Sequence, residues 1–108
     1  MMISDFSKIL KALDKEKVLY LIVGGVAAIA HGMTHTTNDI DLCYERSLKN
    51  IRALVKALKP STPKLRTPTE SVPFIFDEQS IRNGMNFTLD TEWGWIDLLG
   101  EIPQIGGY

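Results

Sequence analysis

Two aspartates separated by one residue, Asp39 and Asp41, lie in the segment NDIDL. They alternate with Ile40 and Leu42, and this period of two is typical of a β-strand with one wet face. Both carboxylates then point to the same side of the strand, with their Cα atoms about 6.6 Å apart. Carboxylate pairs bind Mg²⁺, which completes its coordination shell with waters and substrate phosphate oxygens. The spacing indicates a divalent-metal site, and a solvated strand face that carries two acids is the alternative.

A third acid, Asp97, occurs in the segment WGWIDLLG, where its neighbours are apolar. A carboxylate that nothing compensates costs free energy in such a strand. Asp97 therefore favours a metal site shared with Asp39 and Asp41 over a merely solvated face.

Two adjacent glycines, Gly24 and Gly25, separate the apolar run VLYLIV from the alanine-rich run VAAIAHG. The dinucleotide-binding fingerprint G-x-G-x-x-G is absent because Val26 replaces its second glycine, and no Gly-Lys-Ser/Thr follows to make a P-loop. A Gly-Gly turn before a helix still lets backbone N–H groups approach a phosphate closely. A phosphate site and a tight strand-to-helix turn are both open at this point.

Taken together, the segments GG, HG, THTTNDIDL and WIDLLG resemble the nucleotidyltransferase superfamily that includes DNA polymerase beta. Within it, the chain is similar to the small bacterial nucleotidyltransferases related to abortive-infection (type IV) toxins. The resemblance runs from about Tyr20 to Tyr108. It implies that Gly24 and Gly25 contact the nucleotide phosphates. It also implies that the aspartates hold two divalent ions, Mg²⁺ or Mn²⁺.

The resemblance further implies a division of roles among the acids. Asp39 and Asp41 bind the metal ions, and Asp97 completes the metal site beside the attacking hydroxyl. His35 stands near a position where many relatives carry a basic residue, which assigns it to the nucleotide-binding set. Histidine is largely neutral at pH 7, so this position departs from the family pattern.

The end of the chain is a second departure. The sequence stops at Tyr108, eleven residues after Asp97, whereas relatives continue with another strand and lysine-bearing helices. We therefore expect a domain truncated at its C-terminus, or a minimal domain that needs a partner.

Hydrophobic periodicity predicts the elements that position these residues. We predict helices over the stripe Phe6–Leu13, over VAAIAHG and over Leu48–Leu58, and strands over VLYLIV, DIDLCY, FIF, MNFTLDT and WGWIDLLG. Ser47 is the expected N-cap of the third helix, which Pro60 ends. VLYLIV is expected to be fully buried, and Trp95 is assigned to the core. The stretch 60–73 has four prolines and is expected to be a loop, in which Lys64 and Arg66 either contact phosphate or solvate the chain.

A turn at 92–94 joins the last two predicted strands into a hairpin. The expected fold is therefore α/β (α+β), with a mixed β-sheet and helices packed on it, the minimal nucleotidyltransferase fold. We expect residues 1–108 to form a single domain of this kind.

Composition narrows the function classes. The 12 Lys and Arg balance 13 Asp and Glu, for a formal net charge of −1, so the chain lacks the footprint of a general nucleic-acid binder. Cys43 is the only cysteine, which excludes an internal disulfide and a multi-cysteine metal site. No apolar run is long enough to span a bilayer. We predict a cytoplasmic protein without a membrane partner.

The leading hypothesis is a nucleotidyltransferase that moves a nucleoside monophosphate from an NTP to an acceptor hydroxyl and releases pyrophosphate. The acceptor is left open among RNA, protein and a small molecule, and the resemblance adds an antitoxin or a second subunit as a partner. A noncatalytic nucleotide- or partner-binding module of the same fold is the alternative. An unrelated α/β domain with solubilising acids explains Asp97 poorly.

Overall fold

The computed structural model describes residues 6–23, 39–66, 71–72, 75–102 and 106–107 of the chain. Its helices are α1 (Phe6–Lys15), α2 (Leu48–Leu58) and α3 (Glu78–Asn83), and a 3-10 helix (Lys59–Ser61) follows α2 directly. Its strands are β1 (Tyr20–Val23), β2 (Asp39–Tyr44), β3 (Lys64–Arg66), β4 (Ser71–Val72), β5 (Phe87–Thr91), β6 (Gly94–Leu99), β7 (Glu101–Ile102) and β8 (Gly106–Gly107). None of the helices in these ranges is long and apolar enough to cross a membrane.

Six of the strands form one mixed sheet in the order β1-β2-β6-β5-β3-β4, and β7 and β8 form a separate two-stranded ribbon. Within the larger sheet, β2 and β6 run parallel, while the other neighbouring strands are antiparallel. The predicted α+β class with a mixed sheet is confirmed. The parallel pair is the central feature, because it joins the segment with Asp41 to the segment with Asp97.

One face of this sheet packs on the helices. The core combines apolar side chains of α1, α2 and α3 with inward-facing side chains of the central strands, among them Ile9, Leu13, Ile51, Leu54, Leu58, Ile81, Ile40, Leu42, Leu89, Ile96 and Leu98. Each strand of the pair contributes every second residue to the core, as the period of two requires. The side chains between these core residues lie on the other face of β2 and β6.

The two longer helices lie where the sequence predicts, and α1 continues two residues past Leu13 to Lys15. In α1, Ile9 and Leu13 are fully buried, which confirms the predicted stripe. In α2, the Ser47 hydroxyl accepts a hydrogen bond from the Asn50 backbone N–H at 3.2 Å, which confirms Ser47 as the N-cap. The helix gives way to the 3-10 turn at Pro60.

The predicted hairpin is also confirmed. β5 and β6 pair with Thr91 opposite Gly94, so that residues 92 and 93 make the turn. The buried Thr91 hydroxyl donates to the Gly94 carbonyl at 2.6 Å and accepts from the Trp93 N–H at 3.1 Å. Gly94 has a φ of 129°, which side chains with a Cβ rarely adopt. This turn sets the start of β6 and thereby the position of Asp97.

Three other predictions fail for physical reasons. Among the described strands β1 pairs only with β2, and Leu21 and Ile22 are 51% and 40% exposed instead of fully buried. A strand was predicted at FIF, but Phe76 is buried outside any strand, two residues before α3. The sequence did not predict α3. The stretch 60–73 is no simple loop, because β3 adds to the sheet beside β5 and β4 pairs with β3. The predicted helix over 26–32 lies outside the described residues.

Candidate active site

Asp41 and Asp97 are direct neighbours across the parallel pair of strands. The register of β2 on β6 sets Asp41 opposite Asp97, with Ile40 opposite Ile96 and Leu42 opposite Leu98. Neighbouring strands are about 4.8 Å apart. Two acids that are 56 positions apart in the sequence therefore share one small area of the sheet.

Side-chain alternation explains why both acids lie on the same face. Ile40, Leu42, Ile96 and Leu98 are at most 1% exposed and belong to the core beneath the helices. The residues between them must point to the opposite face. Asp41 and Asp97 are both partly buried there.

The electrostatics of this pair favour a cation. One carboxylate oxygen of each residue, Oδ1, is shielded from solvent. Two carboxylates side by side repel each other, and the repulsion grows when water is excluded. A divalent cation bound between them offsets this cost, and carboxylate oxygens are the ligands that Mg²⁺ and Mn²⁺ prefer. The donor set fits a divalent metal ion.

The described residues do not include a complete metal-binding group. No cluster of three or more His, Cys, Asp or Glu side chains occurs within those ranges. The backbone of Asp39 lies in β2, two residues before Asp41 and opposite Trp95, but its side chain is not among the described ones. The structure thus brings together two of the three predicted acids, and the role of Asp39 stays a prediction.

The predicted nucleotide-binding residues Gly24, Gly25 and His35 lie outside the described residues. Val23, the residue that precedes Gly24 in the chain, is described and lies opposite Asp41. The phosphate-binding role of the two glycines and the role of His35 stay predictions.

Cys43 belongs to the structural part of this region. It lies two residues after Asp41 in β2 and is fully buried, and burial raises the pKa of its thiol. A buried thiol with a raised pKa is a poor nucleophile and a poor metal ligand. The carboxylates, not the thiol, are therefore the candidate ligand groups of β2.

A basic and aromatic cluster, which the sequence did not predict, lies on the same face. Trp95 was assigned to the core, but it is only partly buried. It lies two residues before Asp97 in β6, on the face that carries the acids. The Arg66 guanidinium carbon lies 3.5 Å from the centre of the Trp95 ring. Register also sets Asp90 of β5 between Trp95 and Lys64 of β3. A segment expected to be a loop thus supplies two cations to the face that carries the acids.

Three side chains anchor the strands around the site. The buried Asn50 amide donates to the carbonyls of Leu19 and Glu45, at 3.0 and 2.7 Å, and its oxygen accepts from the Leu19 N–H at 2.7 Å. These bonds fix the start of β1 and the end of β2 to α2. On the other side, the Tyr44 hydroxyl donates to the Met85 carbonyl at 2.8 Å and accepts from Arg46.

In comparisons with known proteins, no protein-family model, no curated protein and no solved structure matches this chain.

Proposed function

We propose that this protein is a metal-dependent nucleotidyltransferase, which transfers a nucleoside monophosphate from an NTP to an acceptor hydroxyl. One observation carries the proposal: Asp41 lies opposite Asp97 on neighbouring parallel strands. This pairing is what a carboxylate metal site built from the motifs NDIDL and WIDLLG requires. The family resemblance of those motifs supplies the reaction.

In the proposed reaction, the acceptor oxygen forms a bond to the α-phosphorus of the NTP. The bond from that phosphorus to the oxygen that bridges to the β-phosphate breaks, and pyrophosphate leaves with the electron pair. The Asp97 carboxylate takes the proton of the acceptor hydroxyl during the attack. Bound divalent ions supply charge neutralisation at the phosphates and lower the pKa of the acceptor hydroxyl.

The residues divide these tasks. Asp41 holds metal on the triphosphate, and we assign Asp39 the same task from its spacing. The resemblance assigns Asp97 to the acceptor hydroxyl, which it orients and from which it accepts a hydrogen bond. Asp97 lies on β6, the strand farther from β1. Gly24 and Gly25 are assigned to the phosphates through their backbone N–H groups. His35 is assigned to the nucleotide as well.

The cytoplasm is the proposed location. The only cysteine of the chain is buried in the sheet as a free thiol, and NTP and Mg²⁺ are available together in that compartment.

Nucleotide binding with and without metal tests the proposal. Isothermal titration of the chain with each of ATP, GTP, CTP and UTP is carried out in excess Mg²⁺ and again in excess EDTA. We expect at least one NTP to bind tighter in Mg²⁺ by about tenfold or more, a difference of about 1.4 kcal/mol. Equal affinity under both conditions contradicts the metal site. Metal-dependent binding without transfer of label to any acceptor supports the alternative, a noncatalytic nucleotide-binding module.

A further inference from the structure

A second set of side chains on the acid-bearing face has no role in the chemistry proposed above. Arg66 of β3 and Trp95 of β6 contact each other although β5 lies between their strands. Two strand spacings separate β3 from β6, about 10 Å. The Arg66 side chain therefore extends along the sheet surface, past β5, to the Trp95 ring of β6.

The contact between these side chains fixes the cation without using its hydrogen-bond donors. A guanidinium that stacks on an indole ring is held through its face, and its N–H groups lie in its plane. Such an arginine can bind phosphate through two parallel N–H groups while it remains stacked. Arg66 is partly buried, so an ion pair formed there is less screened by solvent than one at a fully exposed lysine.

The position of the pair relative to the acids separates two sides of the site. Val23 of β1 lies beside Asp41, and the proposed triphosphate glycines follow Val23 in the chain. On the other side, Thr88 of β5 lies beside Asp97 with its side chain exposed, and β3 follows β5. The Arg66–Trp95 pair thus lies on the side of Asp97, where the proposed reaction puts the acceptor.

We propose that Arg66, stacked on Trp95, binds a phosphate group of the acceptor, so that the acceptor is a nucleotide or polynucleotide and not a neutral hydroxyl compound. The identification of the bound compound as the acceptor rests on the proposed function. The phosphate subsite at Arg66 does not depend on it. Arg66 is a positioning residue in this account. Trp95 holds it in place.

Lys64 provides a matched comparison within the same strand. It lies two residues before Arg66 and carries the same charge, but it is exposed and register sets Asp90 opposite it. The carboxylate beside it opposes the approach of a phosphate. If binding depends only on positive charge, removing the charge of Lys64 or of Arg66 weakens binding equally. If a specific phosphate subsite exists, binding depends on Arg66 more than on Lys64.

The test measures binding to a fluorescently labelled single-stranded RNA of about eight nucleotides with a free 3′ hydroxyl, by anisotropy in EDTA and without NTP. We expect Arg66→Gln to weaken binding by about tenfold, the effect of losing one charge-assisted hydrogen-bonded contact. The slope of log affinity against log salt should fall by about one phosphate contact. Lys64→Gln should change both quantities less, and Arg66→Lys should restore part of the affinity.

Adenosine monophosphate as a competitor distinguishes the two sources of phosphate. Displacement of the RNA through an Arg66-dependent site supports a mononucleotide acceptor, and RNA binding that the competitor does not reduce supports a polynucleotide acceptor. If Arg66→Gln does not fold by circular dichroism, Trp95→Phe replaces it, because the smaller ring holds the cation less well.

The proposal is overturned if Arg66→Gln, or Trp95→Phe in its place, leaves both the affinity and the salt slope at the wild-type values. It is also overturned if Lys64→Gln weakens binding as much as Arg66→Gln. Because the measurement contains no metal and no NTP, its result is independent of nucleotide transfer. A chain that binds RNA through Arg66 but never transfers label contradicts the proposed function and leaves the phosphate subsite standing.

Discussion

Asp41 and Asp97 lie opposite each other on β2 and β6, the parallel pair of the larger sheet. Each occupies the face of its strand that points away from the helices, and each has one oxygen shielded from solvent. Neighbouring like charges at such a place are unfavourable for folding by themselves. A divalent cation, as we propose above, would offset this repulsion.

The first prediction concerns stability without metal. Asp41→Asn should raise the free energy of unfolding in EDTA at pH 7, by up to about 1 kcal/mol, because it removes the repulsion between facing carboxylates on adjacent strands. Urea unfolding followed by circular dichroism measures the change. Asp90→Asn is the matched control, since Asp90 lies opposite Lys64 and should gain nothing from losing its charge. A less stable Asp41→Asn chain, with Asp90→Asn unchanged, contradicts the account.

The second prediction concerns the glycine pair. Gly25→Val should weaken the binding of an NTP in Mg²⁺ by about tenfold or more, a loss of about 1.4 kcal/mol, and the binding of the corresponding nucleoside much less. A side chain at this position keeps the phosphates from the backbone N–H groups. Titration calorimetry with both ligands, on a variant with an unchanged circular dichroism spectrum, provides the measurement. Equal losses for nucleotide and nucleoside would remove the phosphate role from these glycines.

The third prediction concerns acid. The Asp77 carboxylate caps α3 and accepts a hydrogen bond from the Ser80 backbone N–H at 2.9 Å, and this bonding holds the pKa of Asp77 below its usual range. A carboxyl with a lowered folded-state pKa stabilises the fold above its usual pKa, and this contribution is lost as the pH falls through the folded value.

Asp77→Asn keeps a capping oxygen but does not titrate. The melting temperature of the wild type should therefore fall more steeply below about pH 4 than that of Asp77→Asn. The two chains share all other carboxyls. If their melting temperatures fall equally steeply with pH, Asp77 does not have this role.

Local signals predicted much of the fold. Four confirmed features are encoded by residues close together in the sequence: the stripe of α1, the alternation of β2, the cap at Ser47 and the β5–β6 hairpin. β3, β4 and α3 were missed for a different reason. β3 and β4 are short and lie in the stretch 60–73 with its four prolines, and α3 has only six residues. β3 is a strand because β5 offers it a free edge. Only the tertiary structure supplies that edge.

The site divides along the same line. The alternation of β2 predicted that Asp41 faces away from the core, and the family motifs predicted that Asp41 and Asp97 belong together. The stacking of Arg66 on Trp95 was not predictable, because it depends on the strand order β6-β5-β3. The basic segment PKLR, residues 63–66, by itself favours a solvated loop over a phosphate contact.

The central claim is tested most directly by nucleotide transfer with Asp97→Asn. Asp97 is assigned to the acceptor hydroxyl, while Asp41 holds metal on the triphosphate. Radiolabelled NTP in Mg²⁺ is incubated with wild type or variant and a mixture of RNA, protein and small-molecule acceptors, and NTP affinity is measured on the same samples. We expect the wild type to transfer label. Asp97→Asn should keep its NTP affinity within about threefold of the wild type, while its transfer of label falls by about a hundredfold or more, because a group that positions the reacting atoms is lost. Undiminished transfer by Asp97→Asn, or a wild type that binds NTP and transfers none, would contradict it.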